Sequence, residues 1–302
     1  MCSRIMSHIS VLPREAIEAL KVIPGSRIID GTINGGGHSR RIVELLQGQG
    51  VLLGIDLDAE ALERAREHIG KTSAQVHLFE GNFAQMDRFA REAGVSDFTG
   101  ILLDLGLSSN QLESSGRGFS FQKDEPLSMT LTSRTRPDAF TAEDIINDWE
   151  EGTIADIIYG YGEERFARRI ARGIVEARKK KAITTTTELV EVIRQSTPGP
   201  YHRGKTHPAT RTFQALRIAV NDELESLRKG VQVALSLLAP QGRLVIISFH
   251  SIEDRIVKRA FLEAQKEEKG TIITKKPLAP SEEEIKENPR ARSAKLRVFE
   301  VC

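Results

Sequence analysis

Short apolar runs, each closing on an acidic residue and the first two followed by helix-forming segments, restrict the N-terminal third of this chain to a parallel α/β sheet. Arg27-Ile28-Ile29-Asp30, Val51–Asp56, Val76–Glu80 and Ile101–Asp104 read as strands. Val11–Leu20 reads as an amphipathic helix with Val11, Ala16, Ile17 and Leu20 on one face, and Ser39–Leu46 and Ala59–Ile69 read as further helices. Strands separated by helices at this spacing form crossover units and pair in parallel. The pattern stops after the fourth strand. From Gly106 to His207 helix-like segments are frequent and no buried strand is evident. It resumes with a helix over Pro208–Leu238, a fifth strand over Arg243–Phe249 and a helix over Ile252–Ala264. Two late strands, Thr271–Thr274 and Leu296–Val301, flank a polar loop, Lys275–Lys295. The expected architecture is therefore an α/β sheet domain, 1–107 and 208–302, with an inserted helical domain at 108–207.

The 302 residues are 39% hydrophobic and 28% charged, the make-up of a globular chain. No apolar run approaches the ~18–20 residues needed to cross a bilayer, and Met1–His8 lacks the apolar core of a signal peptide. Cys2 and Cys302 lie at opposite ends, which makes neither a disulfide framework nor a zinc site and fits a cytoplasmic protein. His202 and His207 have no third ligand and no Cys/His cluster beside them, so no metal is expected. A net charge of +1 says nothing about partners. The oligomeric state is left open, a homodimer included.

Open α/β sheets bind ligands at the carboxyl ends of their strands, and four features collect there. Asp30-Gly31 opens a loop that runs through Gly35, Gly36 and Gly37 to His38, where glycine lets the backbone approach a ligand closely. Asp56 closes the second strand, the place of an acid that binds ribose hydroxyls. Phe83 follows the third strand and could wall an adenine or face the core. Asp104-Leu105-Gly106-Leu107-Ser108-Ser109 follows the fourth. Together they point to an adenosine-type cofactor. Gly35 and Gly37 give G-x-G, but Arg40 stands where a dinucleotide fingerprint needs its third glycine. An acid ahead of the glycine loop suits a cationic amino-acid tail, which favours S-adenosyl-L-methionine over a nicotinamide dinucleotide.

Several longer stretches resemble the ribosomal RNA small-subunit methyltransferase H (MraW) family. They are Asp30–Ser39, Gly54–Asp58, Asp104–Gln111, Gly116–Phe121, Tyr161–Arg165, Thr210–Arg217, Ser248–Arg255 and Asn288–Arg297, in order along nearly the whole chain. The resemblance implies a class I (Rossmann-like) S-adenosylmethionine-dependent methyltransferase sheet with a helical insert. It also implies N4-methylation of cytosine 1402 in the decoding region of 16S ribosomal RNA, with the small ribosomal subunit as partner. Carried over by position, the cofactor-binding residues are Gly36, Gly37, His38, Asp56, Phe83, Asp104 and Gln111. One departure stands out: the family reads Pro-Leu-Asp-Met-Arg-Met where this chain has Pro126-Leu127-Ser128-Met129-Thr130-Leu131, so an acid and a base are both missing. A non-catalytic RNA-binding assembly factor on the same fold is the alternative that this change supports.

Charge is segregated within the insert. Thr141–Glu164 holds eight acidic residues and no Lys or Arg, whereas Arg165–Arg217 holds 13 Lys/Arg against Glu176, Glu188 and Glu191. On a helix starting near Glu163, Arg165, Arg168, Arg169 and Arg172 share a face opposite Phe166, Ile170 and Ile174. That stripe reads either as a grip on RNA phosphates, reinforced by Arg178–Lys181, Arg203, Lys205 and Arg211, or as a solvated face paired with the acidic segment. The chain has no Pro-Pro of the kind many amino methyltransferases place after strand four. Asp104 takes that position and is the leading candidate for a catalytic role, ahead of Asn110 and His250.

Overall fold

The computed structural model describes residues 10–132, 139–204 and 206–302. In chain order the elements begin α1 (Pro13–Leu20), β1 (Arg27–Asp30), α2 (Gly37–Leu46), β2 (Val51–Asp56), α3 (Ala59–Ile69), β3 (Gln75–Glu80), α4 (Met86–Ala93) and β4 (Phe98–Asp104). Six helices follow: α5 (Ser109–Glu113), α6 (Ala142–Asp148), α7 (Glu151–Gly162), α8 (Ala167–Arg178), α9 (Thr186–Ser196) and α10 (Thr210–Asn221). The chain closes with α11 (Glu223–Leu237), β5 (Leu238–Ser248), α12 (Ser251–Lys266), β6 (Gly270–Ile272), α13 (Glu282–Glu287) and β7 (Lys295–Val301). No described helix is long and apolar enough to cross a membrane.

Two compact units result: residues up to Ser108 with Leu224–Cys302, and Ser109–Glu223. The single helix expected over Pro208–Leu238 is divided at Asp222, whose left-handed backbone (φ +48°) ends α10 before α11 begins. Residues 208–223 consequently belong with the helical unit, where α10 packs on α7, and not with the sheet domain. The segment expected as a loop, Lys275–Lys295, contains α13. Its cap is Ser281, whose hydroxyl accepts from the Glu284 N–H at 3.1 Å.

The sheet runs β3-β2-β1-β4-β5-β7-β6, with β1 to β5 parallel and β7 antiparallel to both its neighbours. Its central strands are apolar throughout because both faces are covered. Ile29, Leu53, Ile101, Leu103, Leu244 and Ile246 share one core with α4, α11 and α12. Their chain neighbours Ile28, Leu52, Leu102, Val245 and Ile247 share the other with α1 and α2. The period of two along each strand thus sorts side chains into two cores. Leu53 is fully buried. Leu53→Ala is expected to lower unfolding stability by about 2–5 kcal/mol, seen as a lower urea midpoint with an unchanged slope.

Candidate active site

The chain leaves β1 towards β2 and leaves β4 towards β5, so the strand order reverses between β1 and β4. Loops after these two strands diverge and leave a crevice at their carboxyl ends. The loop after β1 is shaped by close approach. Gly36 combines a positive φ (+85°) with a position where a Cβ would lie 2.9 Å from the Cα of Ala65 on α3. Only glycine meets both demands. Asn34, also left-handed (φ +53°), donates its backbone N–H to Asp56 Oδ2 at 2.9 Å and its Nδ2 to the Asp104 carbonyl at 3.2 Å. Thr32 Oγ1 accepts from the Asp104 N–H at 2.6 Å. These two side chains strap the β1 loop to the end of β4, and the Asn34 backbone ties it to the end of β2. Sequence reasoning passed over both, although each lies inside the Asp30–Ser39 motif.

Asp30, Asp56 and Asp104 are all buried at these strand ends. Asp30 has a structural use. Its carboxylate accepts from Ser39 Oγ at 2.6 Å and from the Thr32 N–H at 3.4 Å, so it secures the loop and the start of α2. Burial raises its pKa against those hydrogen bonds. Asp56 accepts backbone N–H groups from Asn34 and Asp58, each at 2.9 Å. Burial nevertheless pushes its carboxyl up to about 6.

His38 lies in the first turn of α2 with Nε2 3.5 Å from Asp104 Oδ2. Among the described residues, both ring nitrogens of His38 and Oδ1 of Asp104 are buried without a hydrogen-bond partner. Buried polar atoms are normally satisfied, so three orphans in one crevice mark a place built for a polar ligand. Phe83 packs its ring on α11, where a Cβ on Gly230 would fall 2.5 Å from the ring. That is the core-facing arrangement, with part of the residue still accessible. Gln111 and Asn110 lie on α5 in the helical unit, Gln111 buried and Asn110 half-buried. His250 caps α12, its Nδ1 accepting from the Glu253 N–H while Glu253 Oε2 accepts from the His250 N–H. This reciprocal cap gives His250 a structural duty.

In the helical unit α8 begins at Ala167, because Glu163 adopts a left-handed turn (φ +51°) that ends α7. Arg165 therefore stands in the turn ahead of the helix that the sequence placed it on. Arg168, Arg169 and Arg172 are on α8, and all four are exposed. Arg165 lies over the rings of Phe166 and Tyr201, 4.7 and 5.1 Å from their centroids. Tyr201 donates its hydroxyl to the fully buried Glu164, which also accepts from the Phe166 N–H at 2.8 Å. Burial, and then that hydrogen bond, push the Tyr201 hydroxyl up to about 12. Pairing with the acidic segment is slight: Arg172 sits 3.8 Å from Glu151, and Arg165, Arg168 and Arg169 form no ion pair among the described residues. The reinforcing cations are not all available. Arg178 donates to the Ile146 carbonyl, Lys181 pairs with Glu188, and Arg211 donates to the Glu163 carbonyl. Lys205 lies outside the described residues. His202 is 2.8 Å from Thr197 Oγ1, and His207 stacks on Phe121.

The raised Asp56 pKa fixes a pH dependence. Between about pH 4 and pH 6 the folded protein holds a proton on Asp56 that the unfolded chain has released, so stability falls as pH rises through that window. The shift from 3.8 to about 6 corresponds to roughly 3 kcal/mol. Asp56→Asn should flatten this part of the stability profile relative to the wild type, measured by urea unfolding at a series of pH values. Parallel profiles would remove Asp56 as the source.

The sequence model of the MraW methylase family matches residues 5–302. Proteins named ribosomal RNA small subunit methyltransferase H are similar over nearly the whole chain. That of Deinococcus radiodurans is 49% identical, covering 97% of this chain and 89% of its own. That of Heliobacterium mobile is 47% identical, covering 96% and 97%, and that of Brevibacillus brevis is 44% identical, covering 97% of both. With a family match over residues 5–302 and relatives 44–49% identical over nearly the whole chain, the chain belongs to the MraW methylase family.

Proposed function

We propose that this chain transfers a methyl group from S-adenosylmethionine to N4 of cytosine 1402 in the decoding region of 16S ribosomal RNA, acting on the small ribosomal subunit in the cytoplasm. The observation that carries the reading is the set of unsatisfied buried atoms on His38 and Asp104 at the switch point. When bound, S-adenosylmethionine supplies an already activated methyl group, so the protein's task is alignment and proton management. Asp56 is placed at the end of β2 to accept from ribose hydroxyls, its two occupied oxygens each retaining a lone pair. Gly36 and Gly37 let the backbone lie close to the cofactor, and the accessible part of Phe83 walls the adenine. Gln111 completes the cofactor set by resemblance.

A cytosine amino nitrogen is a poor nucleophile because its lone pair is delocalised into the ring. An acceptor at its N–H favours the pyramidal geometry that attack needs and receives the proton afterwards. Asp104 is the acceptor we assign, since Oδ1 is buried and makes no internal hydrogen bond. The target base has to leave any stack to reach it, at a few kcal/mol unless the strand is already open. Arg165, Arg168, Arg169 and Arg172 hold the RNA by its phosphates.

The lost acid and base at Ser128 and Thr130 do not count against activity. Their hydroxyls are 2.9 Å apart, so a neutral hydrogen bond joins the two positions at which the family pattern has an acid and a base. Small-subunit RNA methylated in vitro and mapped by mass spectrometry should gain N4-methylcytosine at that one position. RNA binding without methylation would favour the assembly-factor alternative. Asp104→Asn should lower kcat by roughly 10²–10⁴-fold at saturating cofactor. Near-normal kcat at saturation would leave Asp104 a cofactor ligand only. Neutralising the four arginines together should weaken RNA binding and flatten its salt dependence with cofactor affinity unchanged. An unaltered salt slope would return them to a solvated face.

A further inference from the structure

A second concavity lies at the β6 edge of the sheet, three strands beyond β4 in the strand order. It has a volume of about 560 Å³, within the usual range for small-ligand sites. Phe261 and Leu262 of α12 and Ile272 of β6 form an apolar wall, and Lys258, Lys275 and Arg297 supply three cations. Among the described residues no acidic side chain lines it. Gln265 Oε1 accepts from the Ile272 N–H at 3.0 Å, which fixes the wall at the edge strand.

Arg297 is the unusual member, being only 7% exposed. Its Nε donates to Asp254 Oδ1 at 2.6 Å, and among the described residues its two Nη groups have no hydrogen-bond partner. The other Asp254 oxygen accepts from Lys295 Nζ at 3.1 Å. Two cations therefore share one carboxylate, and a positive excess remains. Burial works to raise the Asp254 pKa, but the hydrogen bonds from Arg297 and Lys295 overcome it and hold the carboxyl below its ordinary value. Lys258 and Lys275 are exposed and form no ion pair among the described residues. Asp254 comes from Ser248–Arg255, and Lys295 and Arg297 from Asn288–Arg297. These are two of the motifs singled out in the sequence, and this trio has no part in the crevice between β1 and β4.

We infer that this cavity binds the phosphate of a nucleotide, apart from the methyl-donor site. A guanidinium held at Nε and open at both Nη groups presents the fork that grips phosphate oxygens in pairs. The lysines add charge at the mouth, and the apolar wall receives the ribose or base. The nucleotide is either free in solution or part of an RNA strand, and both present the same group.

The test uses the full-length protein saturated with S-adenosylhomocysteine, so that the methyl-donor site is filled. Uridine 5′-monophosphate and a short single-stranded oligoribonucleotide are titrated separately against wild type and a Lys258→Ala/Lys275→Ala variant. Both lysines are exposed, so the variant keeps its fold. Affinity for at least one probe should fall by about tenfold or more, the effect of losing a hydrogen bond to a charged group. Loss with the mononucleotide identifies a free nucleotide as sufficient, and loss with the oligonucleotide alone identifies RNA. Unchanged affinity for both overturns the proposal. Arg297→Lys keeps the charge but loses the fork and should also bind the affected probe about tenfold less tightly. Wild-type affinity in that variant overturns the proposal as well.

Discussion

Three buried aspartates at the ends of three neighbouring parallel strands are the constraint that the rest of the sheet unit answers. Asp30, Asp56 and Asp104 lie in a region of low dielectric, where carboxylates destabilise one another and their own ionised forms. Each ionised oxygen needs a donor, and the loop after β1 and the helix it leads into supply most of them. Ser39 and Thr32 serve Asp30, Asn34 serves Asp56 from one side, and Asp58 serves it from the other. The glycines at 35 and 36 are what allow a single short loop to turn its N–H groups onto two strand ends. Even with these bonds Asp30 and Asp56 stay raised, so the site keeps an electrostatic stress that a ligand with hydroxyl or cationic groups would relieve.

How much of this was legible follows from where the information lies. The strands were readable because branched apolar residues in runs closed by an acid leave few alternatives. The sites at their ends followed from the parallel topology. Element boundaries in the helical part were not. Glu163 and Asp222 end helices in the left-handed conformation with no glycine to announce it. One moved Arg165 off α8, and the other cut a helix in two and shifted residues 208–223 into the helical unit. The structural use of Asp30 was not legible for a different reason. An acid before a glycine loop can point out to a ligand or back to the loop. That choice depends on Ser39, nine positions on, finding its carboxylate. Thr32 and Asn34 were missed because hydroxyl and amide side chains in a turn have local hydrogen bonds as their ordinary use.

The altered stretch at 126–131 shows how a family position can change without the local structure losing its reason. Met129 is buried with a left-handed backbone (φ +54°), a costly conformation for a side chain of that size. Backbone bonds hold it there. The Met129 N–H donates to the Arg117 carbonyl, and Asn221 bridges the Met129 carbonyl and the Leu131 N–H. Arg117 donates in turn to the carbonyls of Thr130 and Leu131. With the turn fixed by its neighbours, charged side chains at positions 128 and 130 are not needed to shape it, and two hydroxyls suffice. A partly exposed ion pair contributes little in any case, typically below about 1 kcal/mol.

A buried carboxylate that sets the position of something else recurs outside the crevice. Glu164 is fully buried, and its two oxygens take the Phe166 N–H and the Tyr201 hydroxyl. Those two rings meet edge to face, and Arg165 lies over both. An arginine resting on a fixed aromatic pair has already lost much of its side-chain freedom, so less entropy remains to be lost when it meets an anion. The half-buried Asp254 likewise holds Arg297 at Nε and leaves its Nη groups unpaired among the described residues. Arg165 is exposed above its buried acid, whereas Arg297 is itself buried. A buried acid that fixes a cation costs desolvation energy and gives little net stability. Its return is orientation, which matters most where a charged partner must be met in one geometry.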